Sequence, residues 1–203
     1  TEAAPFLIAT AQQLADLAYL VNDGKPFKGM HFKLTADITL NDVNPSGIYN
    51  YEWTPIGTVG TFSDNDFEGY FDGGGHTISR LYLDMHDRKS TGLFGALYNA
   101  VVKDLTIEDS YLYGLPDENK AGMLAGYTYN TQIINCHVTN SKILAYFEDG
   151  GPTKTYVAGL VAYANISNFS GCSYSGNIKV IHRKGYANVS GLVGNGLRST
   201  LSD

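Results

Sequence analysis

Four stretches of this sequence open in the same way: "TGLFGALYNA" at Gly92, "AGMLAGYTYN" at Gly122, "AGLVAYANIS" at Gly159 and "VSGLVGNG" at Gly191. The anchor glycines stand 30, 37 and 32 residues apart, which is a period near 33 with loops of varying length. Helical arrays such as ankyrin and tetratricopeptide repeats have units of about this size, but each of their units needs two helix-forming stretches. These units carry "VVKDLTIEDSYLYG", "QIINCHVTNSKILAY" and "NFSGCSYSGNIKVI" instead, which alternate apolar and polar residues. Leu105/Ile107, Cys136/Val138 and Cys172/Tyr174 fall at matching places. A period of two inside a period of about 33 means strands wound into coils. The expected fold is all-β: a right-handed parallel β-helix whose equivalent residues stack about 4.8 Å apart as ladders through one core.

The remaining signals fit that expectation. Glycine (23) and tyrosine (15) are abundant, as many short strands joined by tight turns require. In "FEGYFDGGGHTISRLYL" the run Gly73-Gly74-Gly75 reads as a tight turn leading into the alternating Ile78, Leu81 and Leu83, with His76 a turn residue. One helix is predicted, from about Thr10 to Asp23. Thr10 and Gln13 form a capping pair, Leu14, Leu17, Ala18 and Val21 follow helical spacing, and Asn22-Asp23-Gly24 supplies the stop. This helix is expected to cap the N-terminal end of the solenoid. The chain is long enough for one core, so residues 1–203 are read as a single domain. Residues 1–30 carry a strand and the capping helix, 31–88 the entry coils and 89–203 the glycine-led repeats. The last repeat is incomplete at Asp203, so the chain is expected to be a piece of a longer surface protein or to have that end covered by another chain.

The order "FLIATAQQLADLAYLVNDGKPFKGMHFKLTADITL", "WTPIG", "FEGYFDGGGHTISRLYL" and then "GLFG" and "GLVG" coils resembles bacterial surface proteins that carry the GLUG motif. It is also similar to the β-helical, non-peptidase N-terminal region of the immunoglobulin A metalloproteases. The resemblance covers essentially the whole chain and implies the solenoid fold and a secreted or bacterial cell-surface location. Its motif residues are scaffold residues, so it implies no catalytic or binding residue. At "AGLVAYAN", Ala162-Tyr163 departs from the glycine of the pattern.

Chemistry must be sought in the residues themselves. A net charge of −6 offers no basic stripe for phosphates, and no apolar run approaches the roughly 18 residues that span a bilayer, so neither nucleic-acid binding nor membrane insertion is expected. There is no HExxH, GxSxG, P-loop or dinucleotide fingerprint, and no cofactor is expected. His31, His76, His86, His137 and His182 are dispersed, and the adjacent Cys136 and His137 point to opposite faces of a strand. Asp64, Asp66 and Glu68 alternate but lack the other ligands of a calcium loop, so no metal site is expected. Asp104 and Asp109 are followed one coil later by Asn135 and Asn140, so no acidic ladder forms; Asp117, Glu118, Glu148 and Asp149 are the other carboxylates available for catalysis. Cys136 and Cys172 fall in one ladder after a one-residue gap, where parallel Cβ vectors favour free stacked thiols over a bridge.

Aromatic residues carry the binding expectation. Tyr49, Tyr51 and Trp53 share a face if "GIYNYEW" is extended, and Tyr111, Tyr113, Tyr127, Tyr129 and Tyr146 stand at strand edges and loops. Tyrosine offers a large rigid surface suited to glycan stacking or protein contact, although the same residues also serve simply to cover coil corners. The functional expectation is a non-catalytic surface module, adhesin-like or substrate-recognising, whose partner is a glycan or a host protein. The alternative is a carbohydrate-active β-helix enzyme, a polysaccharide lyase or glycoside hydrolase.

Overall fold

The computed structural model describes residues 1–42, 50–59, 65–86, 89–114, 120–147, 154–182 and 186–203. They form a parallel β-solenoid with one α-helix, Ala11–Asn22, near the N-terminus. The ladder that defines the coils is read directly from strand register. Phe6 pairs Phe32, then Phe71, Val102, Ile133, Phe169 and Leu201 follow, each one coil beyond the last. The five inner members of this ladder are buried, and each such side chain withdrawn from water contributes on the order of 1.5–3 kcal/mol. Ile38, Ile78, Ile107, Val138 and Tyr174 make a second ladder, and Leu83, Leu112, Ile143 and Ile178 a third.

Corners between these ladders are made by residues in the left-handed region. Asp104 and Asn135 form one corner column, Asp109 and Asn140 a second, and Asn99, Asn130, Ile166 and Arg198 a third, all with φ between 46° and 54°. Asparagine and aspartate tolerate this conformation because their short polar side chains bond locally. Here they also bond one another between coils. Asn130 donates to Asn99 Oδ1 at 2.6 Å, Asn135 to Asp104 Oδ1 at 2.8 Å, and Asn140 to Asp109 Oδ1. The Asp-to-Asn pattern that argued against an acidic catalytic ladder is thus a set of coil corners.

The helix has the predicted caps. Thr10 Oγ1 accepts from the Gln13 N–H, Gln13 Oε1 accepts from the Ala9 N–H, and Gly24 follows the helix with φ 86°. Leu14, Leu17, Ala18 and Val21 are buried in the core cluster with Ile8 and Leu34, so the helix takes the place that strands occupy in later coils. Its end pins the segment that follows the first coils: Asn22 donates to Pro55 O and accepts from Gly57 N, while Asn65 donates to Asn22 O. That segment forms the rung beside Phe94–Tyr98, with Ile56 bridged to Phe94 and Phe67 to Leu97. In the last coil Val189, Leu197 and Leu201 are exposed.

The anchor glycines register differently from the simple spacing. Gly122 pairs Ala158 rather than Gly159, and Gly159 is level with Gly191 because Ala158 pairs Ser190. With Gly122 opposite Ala158, Cys136 and Cys172 come level with no gap. In the column of Gly126, Ala162 and Gly194, Ala162 is fully buried, so the departure at "AGLVAYAN" costs the fold only a methyl group that fits. Gly74 and Gly75 have φ of 61° and 77° and make the expected turn, but Gly122 has ordinary φ and is required by close approach alone. A Cβ there would lie 2.3 Å from Ala125 O, 2.7 Å from Ala162 N and 2.8 Å from Leu160 O, all backbone atoms that no side-chain rotation can move.

Two substitutions test this scheme. Gly122→Val should cost more than about 1 kcal/mol and lower Tm by more than about 3 °C in a thermal melt; an unchanged Tm would contradict the close approach. Ile166 is β-branched at φ 54° in a column otherwise begun by asparagines. Ile166→Asn should therefore stabilise the chain, by about 0.5–1 kcal/mol, and a destabilised variant would show that the apolar packing of Ile166 outweighs its backbone strain.

Candidate functional site

Inner positions of the coils are filled, so recognition chemistry must lie on outer faces. The strands Tyr82–Asp84, Tyr111–Gly114, Gln132–Phe147 and Ser173–His182 stack to make one such face. Alternation sends Tyr82, Tyr111 and Lys142 outward in one column, continued by Asn177, while Asp84, Tyr113, Leu144 and Lys179 form the next. Four tyrosine rings run across it. Tyr82 lies 6.2 Å from Tyr111 between centroids, Tyr111 6.0 Å from Tyr113, and Tyr113 5.5 Å from Tyr146. All four are half-buried. Burial, then the neighbouring Asp84, Glu52 and Tyr113 charges, raise the Tyr82 hydroxyl above its usual value; burial followed by Tyr113 and Tyr82 does the same to Tyr111. Both are therefore neutral phenols near pH 7, able to donate and accept.

At one end of this line stands a small polar cluster. His86 Nδ1 meets Asp84 Oδ1, and His86 Nε2 lies 3.4 Å from the Tyr146 hydroxyl, which is itself 3.4 Å from the Tyr113 hydroxyl. Room for the pair comes from Gly114. With φ 118° it places no side chain where a Cβ would come within 2.6 Å of Asp84 Oδ1 and 2.8 Å of His86 Nδ1.

A second tyrosine group centres on another sheet, built by Phe94–Tyr98, Ala125–Tyr129, Val161–Asn165 and Val193–Leu197, which Tyr156 meets from the neighbouring strand Lys154–Ala158. Tyr98 stacks on Tyr129 at 4.8 Å, Tyr127 on Tyr163 at 5.8 Å, and Tyr156 meets Tyr163 edge-on at 5.1 Å, with Lys120 Nζ 6.0 Å above the Tyr127 ring. The structure therefore divides the tyrosines expected from sequence. Tyr111, Tyr113 and Tyr146 come together, Tyr127 and Tyr129 belong to the second group, and Tyr51 is exposed apart from both beside the helix. Trp53, expected to share an exposed face with Tyr51, is instead buried at 7% exposure with its Nε1–H bonded to Leu93 O at 3.1 Å, because its ring fills the core next to the helix. Tyr49 lies outside the described residues, as do Asp64, Asp117, Glu118, Glu148 and Asp149.

Tyr82, His86, Lys142 and Lys179 were not singled out by sequence reasoning. Their signal was the coil offset itself, since Tyr82 precedes Tyr111 by nearly one period, as Tyr98 precedes Tyr129. Among the described residues no group of three or more His, Cys, Asp or Glu side chains could hold a metal ion. Cys136 and Cys172 are free thiols on neighbouring rungs. Burial, with the neighbouring Cys172 thiol adding to it, raises Cys136 far above the usual thiol value, and burial also raises Cys172. Neither is an activated nucleophile.

The molecule is thus a parallel β-solenoid with tyrosine-lined outer faces. No family model matches the sequence. It is similar to a protein of Evansella cellulosilytica named "Putative Gly-rich membrane protein", 30% identical over 131 residues, which is 64% of this chain and 14% of that protein. It is also similar to "Halomucin" of Haloquadratum walsbyi, 33% identical over 120 residues, 58% of this chain and 1% of that protein. The chain therefore spans only a small part of the curated relatives it matches. A solved structure described as a "putative immunoglobulin A1 protease" from Bacteroides ovatus aligns over 99% of this chain and 76% of its own, at 15% identity and a TM-score of 0.41. Among the described residues no helix is long and apolar enough to cross a membrane.

The raised thiol and phenol values have a consequence for stability. A group whose folded pKa is raised contributes stability that is whole below its unfolded pKa and is lost as pH rises toward the folded value. For Cys136 the loss starts near the unperturbed thiol value of about 8.5, and for Tyr82 and Tyr111 near about 10. Tm should fall steadily from pH 8 to pH 11. Cys136→Ala should lower Tm at pH 7 yet flatten the slope between pH 8 and 10; an unchanged slope would assign the loss to other groups.

Proposed function

We propose that the chain is a non-catalytic surface module that recognises carbohydrate through its tyrosine-lined outer face. One observation carries this reading: the half-buried rings of Tyr82, Tyr111, Tyr113 and Tyr146 run in an unbroken line across consecutive coils. The C–H face of a pyranose packs against such rings while its hydroxyls bond to the phenols and neighbouring amides, and a rigid scaffold keeps the entropy loss on binding small. The names of the relatives, a membrane protein and a halomucin, support a place at or outside the cell surface. The GLUG resemblance, with its exported, adhesin-like role, belongs to the same reading, and a host protein is the other class of partner that tyrosine faces suit.

A carbohydrate-active enzyme is the second reading, and it rests on the contact of Asp84, His86 and Tyr146. An imidazole oriented by a carboxylate and touching a phenol is able to move a proton.

A glycan array run beside an assay for newly formed chain ends separates the two. Binding without turnover is expected, with Tyr111→Ala and Tyr113→Ala together weakening it about tenfold or more in a variant that still melts cooperatively, at a Tm lowered by the lost ring contacts. Turnover abolished by His86→Ala would establish the enzyme instead, and no glycan retained at all would overturn both readings.

A further inference from the structure

Beside the tyrosine line a groove of about 620 Å³ opens at the corner of the coils. Its origin is a difference between coils. Thr139 pairs Ser175 and Ser141 pairs Gly176, so the coil above has no residue to match the corner Asn140. The upper coil cuts straight across, and it comes so close there that a Cβ on Gly176 would lie 2.3 Å from Ser141 O. The recess left beside the missing corner is lined by Arg80, Tyr111, Asn140, Lys142, Asn177 and Lys179.

Three cations in one groove stand out against a chain of net charge −6. The carboxylate among them is Asp109, whose Oδ1 accepts from Asn140 Nδ2. Arg80 donates one N–H to Asn41 O at 3.3 Å, and a guanidinium has five. The side chains of Lys142 and Lys179 are exposed and make no hydrogen bond or ion pair among the described residues. The cations are spread along the stacking direction: Arg80 belongs to the coil of Tyr82, Lys142 lies two coils on and Lys179 three. At about 4.8 Å per coil they extend over roughly 14 Å. Such a row matches charges repeated along a polymer rather than one compact anion.

Resting on the carbohydrate reading above, we propose that this groove selects an anionic polysaccharide lying along the solenoid axis, its carboxylate or sulfate groups paired with Arg80, Lys142 and Lys179. Sugar rings lie on Tyr111 and its aromatic neighbours, and Asn140 and Asn177 offer amides to the hydroxyls. The aromatic line beside the cations is what favours a polysaccharide over an acidic peptide. Cations alone would suit either, but a flat series of rings suits the C–H faces of successive sugars. Charge pairs of this exposed kind are individually weak and strongly screened, so selectivity comes from several together.

The test uses the whole chain in affinity electrophoresis through polygalacturonate, chondroitin sulfate, neutral dextran and polyglutamate. Retention by one or both anionic polysaccharides is expected, weakened as salt rises from about 50 to about 500 mM. Lys142→Gln with Lys179→Gln should raise Kd for that polymer about five- to tenfold with Tm unchanged, as two exposed pairs would. Equal retention by dextran, insensitive to salt and to the double variant, would overturn the anionic selectivity and leave the carbohydrate reading standing. Retention by polyglutamate but by no polysaccharide would overturn both in favour of an acidic protein partner, and retention by none would also overturn both.

Discussion

Parallel hydrogen bonding between successive coils is the constraint on which everything else in this molecule depends. Once Phe32 stands under Phe71 and Val102 under Ile133, every residue of a coil is roofed by its equivalent about 4.8 Å away. An inner position is then apolar in coil after coil, or carries a small hydroxyl that bonds within the stack, as Ser110 and Ser141 do between coils and Thr128 does to Ser167. Corners tend to turn in the same place in successive coils, as Asp104 and Asn135, and Asp109 and Asn140, do in columns of left-handed conformation, until the coil after Asn140 drops that corner. Where a coil approaches the backbone of the next, a side chain has nowhere to go, and Gly92 and Gly122 follow from that.

Outer positions escape the constraint, and that freedom is what makes their repetition informative. Nothing in the stacking of strands requires Tyr82 to be followed by Tyr111, Tyr98 by Tyr129, or Tyr127 by Tyr163. Aromatic stacking between rungs contributes about 0.5–1.5 kcal/mol per pair, and this helps the coils to cohere. The column that starts with Tyr82 and Tyr111 nevertheless turns to Lys142 and Asn177, giving up ring stacking for charge at the point where the corner residue is lost and the groove opens. The change of chemistry and the change of shape fall in adjoining coils, Lys142 beside the last Asn140 corner and Asn177 in the coil without it.

At the N-terminal end the same core is closed differently. A helix replaces strands in the first coil, and its Asn22 clamps the segment containing Pro55 and Gly57. Trp53 is drawn into the core by this arrangement, with its indole N–H satisfied by Leu93 O. A residue that an extended chain would display thus becomes part of the scaffold.

Legible in the sequence alone were the solenoid, the helix and its caps, the Gly74 and Gly75 turn, the shared ladder of Cys136 and Cys172, and the Asp-to-Asn steps after Asp104 and Asp109 that leave no acidic ladder. All of these are local periodicities or their repetition at one offset, and both survive in a linear string. Tertiary structure was needed for the register of Gly122 against Ala158, the corner geometry of Asp104 and Asp109, the burial of Trp53 and the division of the tyrosines into two groups. It alone also brought His86 to Tyr146, and Arg80 to one groove with Lys142 and Lys179. Coil lengths differ by several residues, so a single period cannot place side chains of different coils side by side. Pairing between coils settles that, because a shift of one residue would turn every inner side chain outward.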